Sequence, residues 1–163
     1  MAISFFVKGT AVSWRAPQFN RTTGNAYKPK AQGEKAWQNS VWGQAMCYAP
    51  KEPWTGPVRM DLIFYVPCAK SWPKWKKEVI ASNRFHCDTG QDATNLRKAF
   101  EDALKGVFFV DDRQVDGDTI RTWVANPEDA GVLVSLKKLP GLPERKPQNS
   151  DQQAAVSDQQ EAR

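Results

Sequence analysis

The sequence predicts a small α+β domain, α/β in the broad sense, with a mixed sheet and two main helices packed on it. Three observations predict this class. Val58 to Val66 alternates strictly, putting Val58, Met60, Leu62, Phe64 and Val66 on one face, the period of a half-buried strand. Thr94 to Gly106 carries Leu96, Ala99, Phe100, Ala103, Leu104 and, just beyond it, Val107 in one stripe at helical spacing, with Gly106 placed to end it. Short apolar runs then follow at 107–110, 120–124 and 132–136, each of strand type.

Taken in chain order, Ile3 to Val7 reads as an opening strand. Gly9 to Lys30 has no period and interleaves Arg15, Arg21, Lys28 and Lys30 with Trp14, Phe19 and Tyr27. Such a loop suits phosphate contacts with bases or sugars packed on rings, and equally suits a surface loop pinned to the core by its aromatics. Lys30 to Tyr48 repeats Ala36, Trp37, Val41, Ala45 and Tyr48 at three-to-four spacing until Pro50 and Pro53 stop it, an amphipathic helix.

After the strand at 58–66, Lys70-Ser71-Trp72-Pro73-Lys74-Trp75-Lys76-Lys77 predicts a short basic helix with Ser71 as N-cap and Pro73 in the first turn. Lysine runs are mostly solvated faces, but two tryptophans among these make Lys70, Lys74, Lys76 and Lys77 candidate DNA contacts. On the helix from Thr94, Asn95, Lys98 and Asp102 form a polar row beside the apolar stripe, and Arg97 with Glu101 point to a third side. Trp37, Trp42 and Trp123 fall on core-facing or strand positions, leaving Trp14, Trp54, Trp72 and Trp75 freer to meet DNA or a partner chain.

The chain has 163 residues, 40% of them hydrophobic, enough for one core. The expected division is a folded domain over 1–139 and a flexible polar tail over 140–163, where the composition turns to Pro, Gln, Asp and Ala. Lys and Arg number 23 against 18 Asp and Glu, and the surplus is concentrated in the folded part, which favours a polyanionic partner. Cys47, Cys68 and Cys87 are irregularly spaced, which suits free thiols in a reducing compartment, buried as small hydrophobes, and argues against structural zinc. The apolar run at the start ends at Lys8 without a basic leader, so neither export nor membrane insertion is signalled and a cytoplasmic location is expected. His86 beside Cys87 is a poor metal set and reads as a loop residue.

Asp92 stands just before the polar row, and Asp111-Asp112 returns after one helix and one short run, a path compact enough for carboxylates to meet. Magnesium takes oxygen ligands, commonly one or two carboxylates with substrate phosphate, and a basic protein with two such aspartates fits that demand. Lys98, on the face of Asn95, is the candidate cation for charge building on a phosphate. Without more, an aspartate before a helix is as readily an N-cap, and Asp-Asp after a strand a turn.

Asp92-Ala-Thr-Asn95-Leu-Arg-Lys98-Ala-Phe-Glu-Asp102-Ala-Leu-Lys-Gly106, followed by Asp111-Asp112-Arg-Gln114, resembles the signature of the RusA-type Holliday junction resolvases. That signature runs Asp-x-Asp-Asn, Lys three residues on, Asp-Ala-Leu with a Gly close behind, then Asp-Asp-x-Gln. The resemblance extends more weakly over residues 3 to 136, through Gly9, Gly56-Pro57 and Lys70-Ser71-Trp72. It implies a homodimeric enzyme, typical of a phage or prophage setting, that binds four-way junctions. It would nick two opposing strands with magnesium, or manganese in its place.

Carried over by position, Asp92 and Asp112 match catalytic, metal-binding carboxylates and Lys98 the essential lysine. Asn95 matches the motif asparagine, and Asp111 and Asp102 match motif positions of less defined role. Thr94 departs from the pattern, standing where the motif has a second aspartate, so one anionic ligand becomes a hydroxyl. Asp88 or Asp111 could supply the missing carboxylate. A second departure is Thr122, with Arg121 adjacent, where the family often has a lysine. The competing expectation is a branched-DNA-binding protein whose weakened metal site cuts little.

Overall fold

The structure, a computed structural model, describes residues 1–27, 33–87 and 92–141. Lys28, Lys30, Asp88 and nearly all of the expected tail, from 142 onward, lie outside the described residues. The elements run β1 (Ala2–Lys8), β2 (Gln18–Phe19), β3 (Ala26–Tyr27), α1 (Glu34–Ala45), β4 (Val58–Pro67), α2 (Lys74–Ser82), α3 (Ala93–Leu104), β5 (Val115–Ala125) and β6 (Gly131–Lys138). Three-residue 3-10 turns occupy Met46–Tyr48, Asp112–Gln114 and Pro127–Asp129. The expected α+β class, a mixed sheet with helices packed on it, is what the chain forms.

The main sheet has four strands in the order β1-β6-β4-β5. β6 pairs antiparallel with both β1 and β4, whereas β4 and β5 are parallel. A parallel pair cannot be joined by a hairpin, so the chain between β4 and β5 makes a long crossover. That crossover carries α2, α3 and the whole aspartate motif.

The alternation expected at 58–66 is realised on the core face, where Val58, Met60, Leu62 and Phe64 have no exposed surface. Phe5, Val7, Val132, Val134 and Leu136 continue this face across β1 and β6, and Trp37, Val41, Leu96, Phe100 and Leu104 of α1 and α3 close over it. Phe100 stands edge-on to Phe64 with ring centroids 6.2 Å apart. Truncating a fully buried phenylalanine such as Phe64 to alanine is expected to cost about 3–5 kcal/mol.

Several local expectations are corrected. The run Val107–Val110 is not a strand. It is a tight turn after α3, in which Gly106 adopts φ 78° and its N–H donates to the Phe109 carbonyl at 2.7 Å. Its pairing is limited to isolated bridges from Phe109 to Trp54 and Lys105. Phe108 and Phe109 are fully buried, Phe108 stacking on Phe5 at 5.4 Å, so a buried plug produced the same apolar run that a buried strand would.

Ser71 does not cap α2. The helix begins one residue after Pro73, which takes the N-cap position with extended dihedrals and no side-chain cap bond. Trp54, expected free, is buried under Phe108, while Trp42, expected in the core, is half exposed on α1. Cys47 is exposed rather than buried, and Ala36 and Tyr48 also face outward. β5 starts five residues earlier than the apolar run at 120–124, because its first half carries Asp116, Gly117 and Asp118 and shows no alternation.

Beyond β5, residues Phe85 to Cys87 dock on its outer edge. Val124 N–H donates to the Phe85 carbonyl at 2.9 Å and Cys87 N–H to the Thr122 carbonyl at 3.0 Å, while His86 stacks on Trp123 at 4.4 Å. This covers backbone groups that an edge strand would otherwise offer to another chain. His86 is thus a loop residue with a packing role, as its sequence context suggests.

Candidate active site

The N-terminus of α3 is built on Asp92. Its backbone is extended, at φ −61° and ψ 123°, and its Oδ1 accepts the Thr94 N–H at 2.8 Å. The Asn95 side-chain amide approaches Oδ2 at 3.4 Å. A carboxylate here satisfies an otherwise unpaired helix N–H and sits at the positive end of the helix dipole. Thr94 thus contributes its backbone to the Asp92 carboxylate, and its side chain is exposed.

Trp14, from the loop after β1, donates its backbone N–H to the Asn95 carbonyl at 3.0 Å. Its ring lies under the Lys98 ammonium, 5.3 Å from the ring centroid, within the range of a cation–π contact. Asp92, Thr94, Asn95 and Lys98 are therefore gathered at the first turns of α3, against the loop that carries Trp14. Asp102, further along the same helix, is exposed.

The other end of α3 holds a second cluster. Lys105, the C-cap residue, places its Nζ 3.2 Å from Asp111 Oδ2 and 3.5 Å from Asp112 Oδ1. Asp111 caps the turn Asp112–Gln114, accepting the Arg113 N–H at 3.0 Å and the Arg113 guanidinium at 2.8 Å. These bonds, Arg113 first and Lys105 after it, hold the Asp111 carboxyl well below the usual carboxylate range. In return, the bond to Asp111 raises the Lys105 ammonium above its ordinary value.

Gln114 fixes this turn to the rest of the fold. Its side-chain oxygen accepts the N–H groups of Val110 and Asp111 at 2.8 and 2.7 Å. Its amide donates to the carbonyls of Trp54 and Gly56, both at 2.8 Å. The motif glutamine is thus a four-bonded anchor, a role that neither hydropathy nor charge in the sequence signals.

Between the clusters, Arg97 links α3 to β5. It meets Glu101 at 2.7 Å and Asp118 at 2.8 Å, so the third side of the helix faces the sheet edge. Burial raises the Glu101 carboxyl above its ordinary value, and Arg97 works against that rise.

Asp92 and Lys105 bracket α3, thirteen positions apart and therefore separated by about 19 Å along the axis. Asp112 lies beside Lys105. Asp92 thus caps the start of α3 while Asp112 contacts the residue that ends it, and among the described residues no three His, Cys, Asp or Glu side chains gather as a metal site. The donor chemistry of each end suits a hard cation such as magnesium, which needs only one or two protein carboxylates with substrate phosphate.

The basic residues read from sequence are spread over two regions. Arg15 and Arg21 are exposed on the loop between β1 and α1. On α2, Lys74 is exposed beside Glu78 at 3.8 Å, Lys76 lies 3.7 Å over the Trp72 ring, and Lys77 donates to the Lys70 carbonyl at 3.0 Å. Sequence reasoning passed over Lys105 and the Trp14–Lys98 contact, because both depend on chain reversals that bring distant residues together.

This is a small basic α+β domain with an aspartate–asparagine–lysine helix and an Asp-Asp-x-Gln turn. The family described as endodeoxyribonuclease RusA matches residues 9–137, and the chain belongs to that family of Holliday junction nucleases. It is also 31% identical over 115 residues to the uncharacterized protein YqaN of Bacillus subtilis (strain 168), covering 69% of this chain and 81% of that protein. Among the described residues no helix is long and apolar enough to cross a membrane.

Proposed function

We propose that the protein is a magnesium-dependent endonuclease, with manganese able to substitute, that binds four-way junction DNA and resolves it by paired, symmetric nicks. The family match carries this reading, supported by Asp92, Asn95 and Lys98 standing together at the start of α3. Asp92 and Asp112 are the proposed metal ligands. A bound magnesium ion would polarise the scissile phosphate and acidify a water. Lys98 offsets negative charge on the phosphate, with the Trp14 ring holding its ammonium in place. Asn95 and the Thr94 N–H orient the Asp92 carboxylate. Arg15, Arg21, Lys70, Lys74, Lys76 and Lys77 are the proposed backbone contacts, with Lys28 and Lys30 assigned the same role from sequence.

The proposed enzyme is a homodimer, as the family resemblance implies, with the Asp92 end of one copy facing the Asp112 end of the other. The setting proposed is recombination or repair in a phage or prophage, inside the cytoplasm.

The alternative is a branched-DNA-binding protein that cuts little. Thr94 favours it, since a neutral, exposed side chain stands where the family motif has an aspartate. The experiment that separates the two is magnesium-dependent cleavage of a synthetic four-way junction at fixed salt, beside linear duplex and the Asp112→Asn variant. Paired nicks that vanish in the variant support the enzyme, and junction binding without cutting, in manganese as well, supports the binder.

A further inference from the structure

α2 packs beside β5. Between it and the docked segment Phe85–Cys87 runs a groove of about 320 Å³, lined by Trp72, Trp75, Lys76, Val79, Phe85 and His86 among others. Its walls are unusually apolar for an exposed place: Trp75 is 65% exposed, Phe85 43% and Val79 40%. Contiguous exposed apolar side chains mark a surface that something else covers. The volume is at the small end of ligand pockets, which run from about 300 to 1,000 Å³.

The chemistry of the walls specifies the occupant. Aromatic faces line the space, and the Lys76 ammonium is already seated over the Trp72 ring. Lys70 and Lys74 are exposed close by in the chain, and Arg84 lines the adjoining cavity on the other side of Ile80. A flat apolar slot bordered by cations complements a base flanked by phosphates. A paired base in duplex DNA hides both faces in the stack, whereas an unpaired one offers them, and ring-on-base stacking tolerates any sequence.

We infer that this groove binds an unpaired, unstacked nucleotide, its base lying against Trp75 and Phe85 and its phosphates against the lysines of α2. The inference rests on the junction-nuclease reading and adds to it a base-binding subsite away from the carboxylates. The subsite is close to the proposed chemistry along the chain, since only four residues separate Cys87 from Asp92, a span of about 18 Å at full extension. A strand held in the groove would therefore be gripped within a few nucleotides of the Asp92 end.

The test is equilibrium binding by fluorescence anisotropy, in EDTA and at fixed salt, of a twelve-residue oligothymidylate, a linear duplex and a four-way junction. Wild type, Trp75→Ala and Trp75→Phe are compared, with circular dichroism to confirm that each is folded, as an exposed site predicts. The expected result is about tenfold weaker binding of the oligothymidylate and the junction by Trp75→Ala, no change on duplex, and near-normal binding by Trp75→Phe. Equal loss on all three DNAs, or no loss on any, overturns the subsite while leaving the nuclease reading standing. Failure of the wild type to bind any of the DNAs overturns both.

Discussion

The side-chain amide of Gln114 donates to the carbonyl of Trp54 at 2.8 Å, tying the turn that carries Asp111 and Asp112 to the segment that enters β4. Three more bonds from the same side chain reach Val110, Asp111 and Gly56. Gln114→Ala leaves two carbonyls and two N–H groups short of a partner in a half-buried place. The expected destabilisation is roughly 2 kcal/mol, read from urea unfolding, with a lowered Tm. Gln114→Glu should be nearly as damaging, because a carboxylate cannot donate to Trp54 and Gly56.

Asp92 caps α3, and substitution can separate that cap from its proposed part in catalysis. Asp92→Asn keeps an oxygen for the Thr94 N–H, so the helix cap survives while the charge is lost. Folding stability should change by less than about 0.5 kcal/mol, and junction cleavage should fall by two orders of magnitude or more. Asp92→Ala removes the cap as well and should cost about 1 kcal/mol in addition. Equal cleavage by wild type and Asp92→Asn would remove Asp92 from the chemistry and leave it a cap.

The proposed pairing of the two α3 ends across a dimer makes a sharp expectation for mixed variants. Asp92→Asn and Asp112→Asn should each be inactive alone. A heterodimer of the two would contain one site with both substitutions and one with neither, so mixing them after co-refolding should restore cutting of one strand. If both carboxylates belonged to a site within one copy, every site in the mixture would carry a lesion and no cutting would return.

Thr94→Asp puts a carboxylate at the position where the family motif has one. The magnesium concentration for half-maximal cleavage should fall by several fold, since metal affinity rises with the number of anionic ligands. No change would show that position 94 does not reach the ion.

Asp111 gives stability a defined pH dependence. Its folded-state carboxyl is depressed below its ordinary value of 3.8, first by the bond from Arg113. Its contribution to stability is therefore present above that ordinary value and is lost as pH falls through the folded one. Asp111→Asn should unfold at a lower temperature than wild type at pH 7, by a margin that stays constant down to about pH 5 and narrows in more acidic buffer. A margin that widened below pH 4 would contradict the assignment.

Much of this fold can be read from the chain because its central elements obey one period each. β4 alternates and α3 carries a clean stripe, so their faces follow from residue order alone. Where the chain does not declare a period, the reading fails for physical reasons. Val107–Val110 is apolar because it plugs the core, and a run of that kind looks the same in a turn as in a strand. The first half of β5 is polar because it pairs at an edge opposite Arg97, a contact invisible before folding.

The candidate site divides in the same way. The N-cap reading of Asp92 and the turn reading of Asp111-Asp112, both open from local sequence, describe what these residues do in the fold. That Asp92 caps one end of α3 while Asp111 and Asp112 meet the lysine that ends it could not be judged from spacing in sequence, which counts residues along the chain and not the direction a helix carries them. Lys105 was silent for the opposite reason: its partners come six and seven residues later, across a reversal at Gly106.

The parallel pairing of β4 with β5 has a consequence for when the protein can act. Every candidate site residue from Lys70 to Gln114 lies inside the loop that this pairing closes, and β6 must then insert between β4 and β1. Closing so long a loop comes late and slowly, because its entropy is lost before its contacts form. While the polypeptide is still emerging from the ribosome, the strand that clamps the crossover has not been made. The candidate site is therefore assembled only when the final strands pair.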